Sequence, residues 1–140
     1  MAYKINTDND LFLFDITGFS MWPFLKTGEK VVIKKVLAGD LSVGDIILYH
    51  YNNQMICHRL ARKVARGHGY LLYTCGDAGS NLGKPITEEA LVGKVIGILR
   101  KGHIVDFTGR WRHFVNWFIV EFAPFLRIGI RIIKRCRNYI

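Results

Sequence analysis

The sequence is poor in cysteine and lacks the patterns that hold metals or nucleotides. Only three cysteines occur in 140 residues: Cys57, Cys75 and Cys136. Their number is odd and their spacing fits no metal motif, so we expect free thiols in a reducing compartment. Cys57 and Cys75 are expected to be small buried hydrophobic residues rather than a redox pair. No nucleotide motif is present, and we expect neither a metal nor another cofactor.

The chain also lacks a long hydrophobic run near its start. Residues 1–10 are polar, and the apolar run at 11–14 is far shorter than the hydrophobic part of a signal peptide. We therefore expect neither a secretory leader nor an N-terminal transmembrane helix. Half of all residues are nevertheless hydrophobic and 22% are charged, which is typical of a folded domain and excludes a disordered chain.

Acidic residues are scarce, and the excess of positive charge is uneven. The net charge is +9, of which residues 110–140 contribute +6 through seven arginines and lysines against Glu121. This segment is also apolar and aromatic, and Pro124 interrupts it. It fits a basic helical segment on an anionic membrane surface, or a C-terminal helix packed on the rest of the protein. Residues 1–109 carry only +3, so nucleic acid is not an expected partner.

Residues 1–109 have the pattern of a β domain. Short runs rich in branched and aromatic residues alternate with turns that contain glycine. The pattern predicts strands at residues 11–16, 30–36, 43–51, 55–65, 70–75, 91–99 and 103–107. Many short strands joined in this way indicate a mainly β fold, either an antiparallel sheet or a small barrel, followed by the helical segment at 110–140.

One serine has unusual neighbours, in the stretch Thr17-Gly18-Phe19-Ser20-Met21-Trp22-Pro23. Gly18 permits a tight turn because it tolerates positive φ, and Pro23 restricts the residue before it. The apolar Met21 and Trp22 are expected to anchor the turn in the core, with Ser20 at its rim. Taken alone, the stretch is explained equally well as a loop serine between two apolar strands.

Four segments in a fixed order resemble the signal peptidase I and LexA-like serine peptidases. That family carries a Ser-Met-x-Pro box, a Gly-Asp before a hydrophobic strand, a basic residue followed by Arg, and a later Gly-Asp. The corresponding segments here are Ser20-Met21-Trp22-Pro23, Gly44-Asp45, His58-Arg59 and Gly76-Asp77. The resemblance covers roughly residues 11–100 and implies a signal peptidase-type β fold with serine peptidase activity.

The resemblance assigns roles to individual residues. Ser20 would be the nucleophile, and His58 the general base, as in the endoplasmic-reticulum and archaeal-type enzymes that carry His where others have Lys. Those enzymes also have a carboxylate in the loop after the second Gly-Asp. Here Asp77 is the only acid in that loop, so it is either the third catalytic group or a turn residue.

The oxyanion donors follow from the same comparison. The backbone N–H of Ser20 is the first expected donor. In signal peptidases a hydroxyl two residues before the nucleophile often supplies the second, but Gly18 occupies that position here. Thr17 is therefore the remaining candidate.

The sequence thus predicts a serine endopeptidase with a Ser-His dyad that processes a precursor or signal peptide. By the resemblance, the substrate would be an extended peptide along a strand edge, with small side chains near the cut. We expect the protein to be peripheral on a membrane through residues 110–140, or else soluble in the cytoplasm. A catalytically inactive peptide-binding module of the same fold is the alternative, and the missing later acid favours it.

Overall fold

The protein is described by a computed structural model that covers residues 2–4, 10–79 and 81–107. These residues form nine strands, and short 3-10 turns occur at Ala38–Asp40 and Glu88–Ala90. All seven strands predicted from the sequence are present with bounds shifted by up to three residues, and two short strands at positions 2–4 and 86–87 were not predicted. The strands are β1 (Ala2–Lys4), β2 (Leu11–Asp15), β3 (Lys30–Lys34), β4 (Ile46–Tyr51), β5 (Gln54–Arg66), β6 (Gly69–Cys75), β7 (Ile86–Thr87), β8 (Leu91–Arg100) and β9 (His103–Asp106).

The strands form one antiparallel sheet, which confirms the mainly β prediction. Its order is β1-β2-β3-β8-β4-β5-β6-β7, and β9 pairs with β8 in addition. β4 and β9 share one edge of β8, since β4 pairs with its first half and β9 with its second. No pairing joins β1 to β7 within the described residues, so the sheet is open and the small-barrel alternative is wrong. The path ends instead in edge strands of three and two residues, which offer too few hydrogen bonds to close it.

Both faces of the sheet are covered by apolar side chains. In β4, Ile46 and Leu48 belong to one core cluster, whereas Ile47 and Tyr49 belong to the other. Alternate side chains of a strand point to opposite faces, so a strand buried on both faces is apolar throughout. This explains why β4 is a continuous hydrophobic run and not an alternating one.

The predicted helical segment at residues 110–140 lies outside the described residues. Within the described residues, no helix has the length and apolar character needed to cross a membrane.

Candidate active site

Ser20 lies on a turn that connects β2 to β3, which we call the Ser20 turn (residues 17–25). Gly18 has φ of +83°, as the sequence predicts for a glycine at this point. Met21 and Leu25 are buried at 2% and 0% exposure and fix the turn in the core, while Ser20 is exposed. The prediction for Trp22 is wrong: it is 41% exposed, and Leu25 takes its place as the second anchor because the Leu25 N–H donates to the Met21 carbonyl, 2.9 Å away, and curls the chain inward.

Ser20 and His58 line the same cavity, of about 260 Å³. One wall is the Ser20 turn, including Thr17, and the other is the first part of β5, residues 54–58. The apolar side chains of Phe14, Ile16 and Met55 complete the lining. Within the described residues no hydrogen bond joins Ser20 to His58. Such bonds are often long before substrate binds, so this geometry is compatible with a nucleophile and its base.

The first part of β5 has an open edge beside this cavity. Residues 54–59 pair with β4 on one side, and β6 pairs with β5 only from Arg59 onward. Between positions 54 and 58 the backbone groups on the second side therefore meet no strand among the described residues. An exposed strand edge can accept an extended peptide as an added strand.

His58 is partly buried, and burial sets its protonation. Desolvation disfavours the charged imidazolium and lowers the pKa of His58, while the negative charge of Asp77 opposes this and raises it. Burial is the larger effect. His58 therefore stays a neutral imidazole down to a lower pH than an ordinary histidine does. The neutral imidazole is the form that a general base needs.

Asp77 does not contact His58 through a hydrogen bond. Its two carboxylate oxygens accept hydrogen bonds from Arg59, from Nε at 2.8 Å and from Nη2 at 2.7 Å. Both side chains are buried, at 6% exposure for Asp77 and 1% for Arg59. A fork-to-fork pair of this kind fixes both partners in one orientation. The structure thus places Asp77 beside the candidate base, but as the partner of Arg59.

Arg59 joins the two Gly-Asp segments of the sequence. Its Nη1 donates to the Gly44 carbonyl at 2.9 Å, while the rest of the guanidinium group binds Asp77. Its carbon Cζ also lies 4.9 Å above the ring of Phe24, in the Ser20 turn. Arg59 was not predicted to have a role. Its place between the apolar run at residues 55–57 and Leu60 was the signal that could have indicated a buried charge.

The Gly76-Asp77-Ala78 loop also holds the Ser20 turn directly. The Ala78 N–H donates to the Ser20 carbonyl at 2.9 Å. A Cβ atom on Gly76 would lie 2.6 Å from that same carbonyl oxygen, so only glycine fits at this contact. The loop therefore fixes Ser20 through its backbone and, through Asp77, the strand that carries His58.

Cys57 and Lys63 are both held in unreactive states. Burial raises the pKa of the Cys57 thiol to about 12, so it stays a neutral thiol. Cys57 and Cys75 are both buried, as predicted, whereas Cys136 lies outside the described residues. Lys63 donates from Nζ to the carbonyls of Ala38, Gly39 and Leu41. Those contacts occupy its three donors, so it is not available as an alternative base.

The two expected oxyanion donors both lie at the cavity. Neither the Ser20 N–H nor the Thr17 hydroxyl makes a hydrogen bond to another described residue, which leaves both able to bind a ligand oxygen. The sequence showed only that Ser20 and Thr17 lie close together along the chain. The turn places both residues on the same wall of the cavity.

Three or more potential metal ligands do not cluster anywhere in the described part of the chain. In comparisons with known proteins, the chain matches no protein-family model and no curated protein.

Proposed function

We propose that the protein is a serine endopeptidase of the signal peptidase type that cleaves extended peptide segments. The observation that carries the proposal is the cavity in which Ser20, on a core-anchored turn, faces the open edge of β5 that bears His58. The order of the four sequence segments supports the same family. The proposal assigns Ser20 as nucleophile and His58 as general base.

The reaction follows from these assignments. His58 takes the Ser20 hydroxyl proton as Oγ attacks the peptide carbonyl, and the Ser20 N–H, with Thr17, donates to the oxyanion. The protonated His58 then gives its proton to the departing amine, which leaves an acyl ester on Ser20. A water molecule, deprotonated by His58, hydrolyses the ester and restores both residues.

The shape of the site favours a particular class of substrate. A peptide in β conformation can hydrogen-bond to residues 54–58 and place alternate side chains in the cavity. The cavity holds about 260 Å³, and Phe14, Ile16 and Met55 give part of its lining an apolar surface, which suits a small or medium apolar side chain beside the cut. A precursor or signal peptide meets this description.

The inactive peptide-binding module remains the second candidate. Asp77 is engaged by Arg59, and within the described residues no carboxylate forms a hydrogen bond to His58. A fluorophosphonate probe distinguishes the two functions, because it reacts only with an activated serine.

The experiment compares the full-length protein with Ser20→Ala, His58→Gln and Ser42→Ala. An active peptidase reacts at Ser20, loses the reaction in the first two variants and keeps it in the third, since Ser42 is an exposed serine outside the site. Mass spectrometry of the labelled peptide identifies the serine. If the wild-type protein binds peptides but never reacts with the probe, the peptidase proposal is wrong and the binding module stands.

A further inference from the structure

Tyr49, Thr74 and His58 form a hydrogen-bonded group behind the candidate base. The Tyr49 hydroxyl lies 3.3 Å from His58 Nδ1 and 2.9 Å from Thr74 Oγ1. Tyr49 and Thr74 are buried, at 5% and 1% exposure. The Tyr49 and His58 rings also meet edge to face, with centroids 6.2 Å apart and an interplanar angle of 64°.

The register of the sheet brings these three residues together. Tyr49 of β4 is opposite Ile56 of β5, and His58 is two residues farther along the same face. Thr74 of β6 is opposite Leu60, which again shares that face. Diagonal neighbours across strands are within reach of an aromatic side chain, so Tyr49 contacts His58 across the ladder. A one-residue change of register would remove the contact.

A histidine base needs a neighbour that selects its tautomer. The nitrogen that takes the proton must be unprotonated, which requires the other nitrogen to carry the hydrogen. Asp77 does not supply the partner, because both of its oxygens bind Arg59. Tyr49 is the only described residue with a hydrogen bond to His58, and it binds Nδ1.

We propose that Tyr49 accepts a hydrogen bond from His58 Nδ1–H and donates its own proton to Thr74, which keeps Nε2 of His58 unprotonated. Tyr49 is thus a positioning residue. The catalytic consequence rests on the proposed function, but the tautomer itself does not.

Two arrangements let the phenol proton make a hydrogen bond within this group. In the first, the phenol donates to Thr74 Oγ1 and accepts from Nδ1–H. In the second, Thr74 donates to the phenol and the phenol donates to Nδ1, which puts the imidazole hydrogen on Nε2 and prevents it from acting as a base. The 2.9 Å contact between Tyr49 and Thr74 is an O–H···O bond in both arrangements, so the contact to Nδ1 distinguishes them. Its length of 3.3 Å is nearer to the longer N–H···O range than to the shorter range of hydroxyl donors, which favours the first arrangement.

Burial keeps the phenol neutral in either arrangement. It raises the pKa of Tyr49, so the residue stays a neutral phenol with one hydrogen to donate and lone pairs to accept. Tyr49 therefore orients the imidazole without contributing a negative charge. In this respect it differs from the aspartate of a Ser-His-Asp triad, which also stabilises the imidazolium electrostatically.

The direct test is the tautomer of His58 in the full-length protein. Nitrogen-15 NMR of histidine-labelled protein separates Nδ1 from Nε2, and the His58→Gln variant assigns the signals. We expect the Nδ1–H tautomer in the wild type. Tyr49→Phe should convert it to a mixture, and Thr74→Val should shift it towards Nε2–H, because the phenol then turns its proton to Nδ1. An Nε2–H tautomer in the wild type, or an unchanged tautomer in both variants, overturns the proposal.

Tyr51→Phe is the matched control. Tyr51 lies two residues along the same strand and lines the same second cavity, of about 300 Å³, that Tyr49 and His58 line. It makes no hydrogen bond to His58. Its variant should keep the wild-type tautomer and thermal stability. A shift as large as that of Tyr49→Phe would mean that the cavity as a whole, and not the hydrogen bond, sets the tautomer, which overturns the proposal.

The rate of Ser20 labelling by a fluorophosphonate is the second readout. Tyr49→Phe should lower it by about ten- to a hundredfold and move its pH midpoint, whereas Tyr51→Phe should leave both unchanged. The titratable and charged groups that lie around His58 are Tyr49, Tyr51, Cys57, Arg59, Cys75, Asp77 and Lys84, and of these the charge of Asp77 raises the pKa of His58.

The two readouts separate this proposal from the proposed function. A wild-type protein that never reacts with the probe removes the peptidase, and the NMR experiment alone then decides whether Tyr49 fixes the tautomer. Labelling of Tyr49→Phe at the wild-type rate and pH midpoint overturns the positioning role, whatever the protein does.

Discussion

The buried pair of Asp77 and Arg59 makes a sharp prediction about stability. Asp77→Asn keeps the shape of the side chain but removes its charge, so the guanidinium at 1% exposure loses its counter-ion. Removing one partner of a buried ion pair typically costs about 3–5 kcal/mol, because the other charge is left buried and unpaired. That is a large part of the about 5–15 kcal/mol that a domain has in total. At about 3 °C per kcal/mol for a chain of this size, the melting temperature should fall by about 9–15 °C.

The measurement is urea unfolding followed by tryptophan and tyrosine fluorescence. Asp40→Asn is the matched control, since Asp40 is exposed on a 3-10 turn and should lose less than about 0.5 kcal/mol. In the double variant Arg59→Met with Asp77→Asn, the unpaired charge is gone, so it should be more stable than Asp77→Asn alone. A loss below about 1 kcal/mol for Asp77→Asn, with an unchanged denaturant slope, would refute the argument that this pair is desolvated.

The same variant separates two roles for Asp77. If Asp77 orients His58 directly, Asp77→Asn should lower the probe reaction rate per folded molecule by more than tenfold. Because the carboxylate binds Arg59 and not His58, we expect the loss in stability with a smaller change in that rate. The pH midpoint of the reaction should fall slightly, since the charge of Asp77 raises the pKa of His58.

The remaining predictions use other parts of the chain. Gly76→Ala should displace the Ser20 turn and abolish probe labelling, because its Cβ would lie 2.6 Å from the Ser20 carbonyl oxygen. Gly79→Ala is the control and should label normally, since its Cβ would lie 3.5 Å from its nearest neighbour. Equal labelling of the two variants would contradict the contact at Gly76. The labelling rate should rise with pH to a midpoint below the ordinary histidine value of 6.5, because burial lowers the pKa of His58, and a rise only above about pH 8.5 would exclude a histidine base. The free energy of unfolding should also fall as the pH drops below 6.5, since His58 then binds a proton more readily in the unfolded state than in the folded one. His58→Gln should remove this contribution to the dependence of unfolding free energy on pH. The full chain should cosediment with anionic vesicles at low salt. Replacing Arg127, Arg131 and Lys134 with Gln should weaken its affinity for the vesicles by about a hundredfold, at about 1 kcal/mol for each cation. Wild-type protein that stays in the supernatant would contradict a membrane role for this segment.

Local sequence determined the strands and the Ser20 turn. Branched and aromatic runs between glycine turns have few alternatives to antiparallel strands, so all seven predicted strands occur. Gly18 has the positive φ expected from its place in the turn, and the apolar residue after Ser20, Met21, is buried. These properties depend on neighbours in the chain, which is why the sequence alone was sufficient.

Partnerships across strands were decided only by the tertiary structure. The chain contains Asp77, Arg59, Tyr49 and His58 in no pattern that reveals which pairs with which. The register of β4, β5 and β6 places Tyr49 against His58, and the loop after β6 brings Asp77 onto Arg59. A hydrogen bond requires atoms within about 3 Å, and separations of 9 to 25 residues reach that distance only through the ladder of paired strands.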